Sequence, residues 1–145
     1  MKHLRYAAIG LLGLLAVMSF NGCFEYPEGP VFTLQLKDER LEGTWLVKNV
    51  TDPSGADVTA EHSDETLTVV VNRSGDRAWA TFKNGLIQNH GTYQYGSHSD
   101  YIIIIFDVFN QQNTTFQVFY TIRKLTEKEF KYIDDQGYTY DLKKY

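Results

Sequence analysis

Thr115-Phe-Gln-Val-Phe-Tyr-Thr-Ile-Arg-Lys-Leu125 places Phe116, Val118, Tyr120 and Ile122 on one side of an extended chain. Gln117, Thr121 and Arg123 fall on the other side, together with Phe119. A period of two is the signature of a strand with one buried and one wet face. The same reading holds at 138–143, where Tyr138, Tyr140 and Leu142 oppose Thr139, Asp141 and Lys143, and along the row Leu67, Val69 and Val71.

Working outward, strands rich in Val, Ile, Thr, Tyr and Phe are predicted at 44–50, 66–72, 77–83, 86–89 continuing to 92–95, 101–107, 115–125, 129–134 and 138–143. Between them lie Arg73-Ser-Gly-Asp76, Asn84-Gly85, Gly96-Ser-His-Ser-Asp100 and Asp135-Gln-Gly137, all turn-forming chemistry. Most connections are too short for crossover helices, so neighbours in sequence pair antiparallel; the longest are 51–65 and 108–113. One apolar face per strand fits a barrel or a sandwich, and eight meandering strands can close and remove both sheet edges. The fold class is therefore all-β and antiparallel: a single eight-stranded up-and-down barrel, or a sandwich. One or two helical turns at 34–41 precede it, with Leu34, Leu41 and Lys37 on one side. Tyr101-Ile-Ile-Ile-Ile-Phe106 is apolar on both faces, so either something covers its outer side or it is a docking surface.

The 145 residues allow one domain and no second core. One cysteine excludes a disulfide framework and a cysteine-rich zinc site. A formal net charge of −4 argues against nucleic acid. With 22% charged and 14% aromatic residues, the chain is not of the disordered class.

The N-terminus is a separate unit. Lys2, His3 and Arg5 precede an apolar run from Tyr6 to Met18, short of the roughly 20 residues a bilayer-spanning helix needs. The run ends in Ser19-Phe-Asn-Gly-Cys23. This resembles the lipobox of bacterial lipoproteins, in which the cysteine is lipidated and becomes the first mature residue. The other readings are an ordinary secretory signal or an uncleaved anchor. The lipoprotein resemblance implies a signal peptide at 1–22, lipidation (palmitate) at Cys23, and a tether with a short helical turn at 23–40. Phe24 stands where an aspartate would imply inner-membrane retention, so the expected location is the outer membrane. Cleavage removes Lys2 and Arg5 from the 14 basic side chains, leaving 12 against 18 acidic ones, a net charge of −6.

Leu41-Glu-Gly-Thr-Trp-Leu-Val47 is similar to the opening of the small lipocalin-like domains of bacterial lipoproteins. Gly91-Thr-Tyr93 and Tyr120-Thr-Ile-Arg-Lys-Leu-Thr-Glu-Lys-Glu-Phe130 match the same family, and the likeness covers 41–145. It implies a lipocalin-like barrel in which a helical turn leads into a Gly-x-Trp strand and Trp45 packs at the closed base. The family usually stacks an arginine near its last strand over that tryptophan; here Lys143 and Lys144 stand near that end, and Arg123 two strands earlier.

Chemistry is sparse. His90 and His98 flank the fourth strand near Asp100, weak spacing for a metal, and His62 sits in a polar loop. Ser97, His98 and Asp100 lie too close in one turn to converge as a triad. Asp64-Glu65 and Asp134-Asp135 read as solvated turn acids, and no Gly-rich loop opens a helix. No catalytic residue, metal or cofactor is expected. The tyrosines are more telling. Tyr93, Tyr95, Tyr120, Tyr132, Tyr138 and Tyr140 fall on rows assigned to the barrel interior, and a buried tyrosine must satisfy its hydroxyl. They suit a lining for an amphipathic ligand or a sugar ring, or a barrel simply filled by side chains.

The expected function is a non-enzymatic, envelope-anchored binding protein, held to the membrane through its lipid, monomeric, with a small hydrophobic or glycan ligand. The alternative is a protein-interaction lipoprotein, a hydrolase inhibitor or assembly factor, acting through its outer surface with a filled core. A tyrosine-lined opening would favour the first, and a solid core beside an exposed apolar patch the second.

Overall fold

The computed structural model describes residues 26–29, 33–97, 100–107 and 114–145. Helix α1 (Lys37–Leu41) leads into β1 (Gly43–Thr51). After the short α2 (Thr59–His62) follow β2 (Glu65–Val71), β3 (Arg77–Lys83), β4 (Leu86–Tyr95), β5 (Tyr101–Asp107), β6 (Thr115–Leu125), β7 (Glu129–Ile133) and β8 (Thr139–Lys144). The eight strands form a closed barrel in sequence order, each antiparallel to the next, and β8 returns to pair with β1. The all-β, up-and-down, eight-stranded architecture expected from alternation is therefore the fold, with most strand ends within a residue or two of those read from sequence. The 86–89 and 92–95 segments are one continuous strand.

Local chemistry explains the joints. Asn84 and Gly85 adopt φ of 52° and 73°, the paired positive values of a two-residue hairpin turn whose twist matches its strands. Gly91 lies where β4 meets β5 so closely that a Cβ would sit 2.0 Å from the Ile105 carbonyl oxygen. The ladder shifts register between Val47 and Asn49, between Thr81 and Phe82, and between Ile122 and Lys124. Such bulges bend and coil strands, which a closing sheet requires.

The inward rows meet in one core containing Leu67, Val69, Ile102, Ile104, Ile122 and Phe130. At its centre Trp79 is fully buried, with ring centroids 5.9–6.4 Å from Tyr93, Tyr120, Phe130 and Tyr132, all edge to face. Its indole N–H has no hydrogen-bond acceptor among the described residues.

One end of the barrel is closed by α1. Trp45 is fully buried, and its Nε1 donates to the Leu41 carbonyl at 2.8 Å. Lys144 Nζ stands 4.8 Å from the Trp45 ring centroid and donates to the Arg40 and Glu42 carbonyls at 2.8 and 2.7 Å. A cation over the indole face therefore comes from Lys144, which also satisfies carbonyls at the end of α1. Buried Arg40 donates to the Leu125 carbonyl at 2.9 Å. Leu34, expected beside Leu41 on a buried helical side, is 89% exposed, because α1 begins only at Lys37 and Leu41 alone reaches the core.

Within the expected tether, Tyr26 is buried against the closed end, with Lys37 and Arg40 over its ring. Glu28 N–H donates to the Arg123 carbonyl at 2.9 Å, and the Glu28 carboxylate pairs with Lys131 at 2.7 Å. Cys23 and the expected signal peptide lie outside the described residues, as do His98 and the 108–113 connection. Among the described residues no helix is long and apolar enough to cross a membrane.

Candidate functional site

The six tyrosines read as a lining divide between the two ends of the barrel. Tyr93 and Tyr95 lie toward the closed end. The Tyr93 hydroxyl donates to Asp38 Oδ1 at 3.1 Å, and Arg77 grips the same carboxylate with Nε at 3.1 Å and Nη2 at 2.7 Å. The guanidinium lies 5.9 Å from the Tyr93 ring centroid and 5.6 Å from that of Tyr95. Burial opposes charge on Asp38, but the hydrogen bonds from Arg77 and Tyr93 prevail and hold its carboxyl below the ordinary aspartate value. This cluster ties α1 to β3 and β4.

Tyr120, Tyr132 and Tyr140 lie toward the open end, one each on β6, β7 and β8. Tyr132 stacks on Tyr120 at 4.9 Å and 6°, and on Tyr140 at 5.1 Å and 10°. Both faces of Tyr132 are thus covered. Burial, first of all, pushes each of these three phenols above its ordinary pKa, so all are hydrogen-bond donors at neutral pH. Tyr138 precedes β8 at the rim, its ring 6.1 Å from that of His62.

The stack borders a cavity of about 320 Å³. That volume lies near the lower end of the range of roughly 300–1,000 Å³ found for small-molecule sites. Leu67 and Leu142, both buried, contribute to its apolar lining; Thr81, Gln88, Asn89, Gln136 and three acids, Glu65, Asp134 and Asp135, give it a polar side. The interior is therefore packed around Trp79 and toward the closed end, and hollow toward the other.

The rim holds a linked set of polar groups. His62 Nδ1 is 2.9 Å from Glu65 Oε2 and 3.4 Å from the Tyr140 hydroxyl. Lys83 Nζ donates to Glu65 Oε1 at 3.2 Å and to the Glu61 carbonyl at 3.1 Å. Asp134 Oδ1 accepts the Gln136 and Tyr138 N–H groups at 3.0 and 2.8 Å, folding the β7–β8 turn. Burial raises its pKa despite those bonds. Asp134 is thus a half-buried acid facing the cavity, contrary to the solvated turn acid read from sequence; Asp135 is exposed as expected. Sequence reasoning missed Glu65, Lys83, Gln88, Asn89 and Gln136 as lining. The available signal was that Glu65 shares its alternation row with Leu67 and Val69.

His90 pairs with Asp107 at 3.1 Å, a lateral contact between β4 and β5. Among the described residues no three histidine, cysteine or acidic side chains gather as a metal site.

Comparison with solved structures finds a lipocalin-like protein from Bacteroides uniformis ATCC 8492, at 14% identity, TM-score 0.53, with 73% of this chain covering 99% of that one. The fold is a lipocalin-like barrel. A second match, an uncharacterized protein from Bacteroides eggerthii DSM 20697, has 18% identity and TM-score 0.49 over 72% of this chain and 99% of its own. No family model matches the sequence, and no curated protein does. In this lipocalin-like barrel Trp45 lies at the closed base, and the cavity opens at the opposite end.

Proposed function

We propose that this chain is a non-enzymatic lipoprotein, anchored by lipid on Cys23 to the outer membrane of a bacterial envelope, whose lipocalin-like barrel binds a small amphipathic or glycan-like molecule. The observation that carries the binding reading is the cavity of about 320 Å³ between the Tyr120–Tyr132–Tyr140 stack and the β2–β4 wall. Apolar residues on one side and convergent hydroxyl, amide and carboxylate groups on the other are what orients a small ligand. Anchoring rests on the basic, apolar and cysteine-terminated layout of residues 1–23.

A second reading, protein interaction through the outer surface, is favoured by a specific feature. Phe119 is 53% exposed on β6, beside Tyr101, Ile103 and Ile105 on the outer face of β5. The two readings separate by native mass spectrometry of protein extracted from its own membranes: a retained small molecule supports barrel binding, and a co-purifying protein with an empty barrel supports the second. Replacing Cys23 with Ser should move the chain from the membrane to the soluble fraction; retention in the membrane would refute the lipid anchor.

A further inference from the structure

The charge around the cavity narrows the ligand class. Two of the connections at the open end, residues 52–65 and 134–138, carry seven carboxylates and no lysine or arginine. Lys83 is the cavity's cation, and its ammonium is already engaged by Glu65 and the Glu61 carbonyl. Asp134 is different from Glu65: its partners are backbone N–H groups, and no basic side chain lies within ion-pair distance among the described residues. It nonetheless lines the cavity, half-buried, with the tyrosine stack beside it. A half-buried carboxylate whose partners are neutral backbone N–H groups has no counter-charge to offset the rest of its desolvation cost.

A second, independent feature points the same way. Tyr132 is 6% exposed and lines the cavity, and its hydroxyl has no hydrogen-bond partner among the described residues. Stacked between Tyr120 and Tyr140, it presents to the cavity only its edge, which carries that hydroxyl. A hydroxyl with no protein partner and a carboxylate with no counter-charge in one hollow are the complement of a ligand with hydrogen-bonding and cationic groups. A carboxylate ligand in the same place would meet Glu65, Asp134 and Asp135 and, among the described lining residues, no cation but Lys83, which Glu65 already engages.

We propose that the open-end cavity selects small molecules bearing an amine or quaternary ammonium group on a compact apolar body, with Asp134 as the counter-ion, and excludes anionic molecules of the same shape. This deepens the ligand-binding reading and rests on it. The volume, roughly that of ten waters at about 30 Å³ each, limits the body to one ring or a short branched chain.

The test is calorimetric titration of the full chain in detergent with phenethylamine, benzyltrimethylammonium, phenylacetate and 3-phenylpropanol, probes of matched size and different charge. The expected result is binding of both cations at least about tenfold tighter than phenylacetate, a difference of ~1.4 kcal/mol. Asp134→Asn keeps the acceptor that folds the turn and should remove most of that preference; Asp135→Asn at the exposed neighbour should weaken it less. Asp76→Asn, in the β2–β3 turn at the other end, should change nothing. Thermal unfolding of each variant establishes that it is folded. Equal or tighter binding of phenylacetate, or a cation preference unchanged in Asp134→Asn, overturns the assignment. Tight binding of 3-phenylpropanol without the cations overturns the ligand class and leaves the binding reading standing. Failure of all four probes, together with a native mass free of any small molecule, overturns both.

Discussion

At the scale of single residues, the closed base shows how one position organises its neighbours. Trp45 donates to Leu41, packs 5.7 Å from Phe130 and carries the Lys144 ammonium over its face. Trp45→Ala should cost roughly 3–5 kcal/mol in urea unfolding, the range for deleting a buried tryptophan; a loss below about 1 kcal/mol, usual for surface sites, would contradict this packing. The Gly43-x-Trp45 spacing made that residue legible in the sequence, but the choice of Lys144 over Lys143 depends on strand register, which places Lys144 opposite Trp45. Two acids respond oppositely to pH. The Asp38 carboxyl is held low by Arg77 and Tyr93 against the effect of burial, so its stabilisation is complete above the ordinary aspartate range and lost as pH falls through it. Asp134 is raised by burial, so its ionised form opposes folding and stability declines as pH rises through its titration. Asp38→Asn should therefore lower the melting temperature at pH 7 and flatten the acid limb, whereas Asp134→Asn should raise it at pH 7. The opposite pair of signs would refute both assignments. Alternation placed Tyr93 and Tyr132 in one class, and only the third dimension separates them, because a row along a strand does not say which end of the barrel a residue faces.

At the scale of elements, every strand was legible from its β-rich composition and flanking turn residues, most of them from alternation as well, since these are local signals. Helix α2 was not, because Thr59–His62 is a single turn with no apolar stripe; Asp57 Oδ1 accepts the Thr59 N–H at 2.9 Å and the Thr59 hydroxyl accepts the Val50 N–H at 2.9 Å. That segment matters, for it brings His62 to Tyr140 and Glu65. The β4–β5 pairing depends on Gly91. Gly91→Ala would push a methyl into the Ile105 carbonyl and should destabilise the barrel by at least the ~1–3 kcal/mol typical of overpacking. Chemical denaturation checks this, and an unchanged midpoint would mean the strands approach less closely. On the outer side of β5, Tyr101, Ile103 and Ile105 are half-buried and Phe119 remains open, so the doubly apolar segment seen in sequence has one face in the core and one only partly covered.

At the scale of the whole molecule, closure removes sheet edges, and the order β1 to β8 follows from short antiparallel connections. What composition could not tell was how the interior is shared between packing and space. Trp79 and its ring of aromatics fill the middle, the Asp38–Arg77 pair and Trp45 seal one end, and the stacked tyrosines leave a hollow at the other. The chain's ten tyrosines make that division measurable. With tyrosine rings labelled with carbon-13, NMR spectra recorded while phenethylamine is added report the cavity through Tyr120, Tyr132 and Tyr140, the sealed end through Tyr93, and the outer face through Tyr101. Binding of a cationic ligand inside the barrel requires saturable shifts at the first three with Tyr93 and Tyr101 unmoved; shifts confined to Tyr101, or none at the stacked tyrosines, would contradict it.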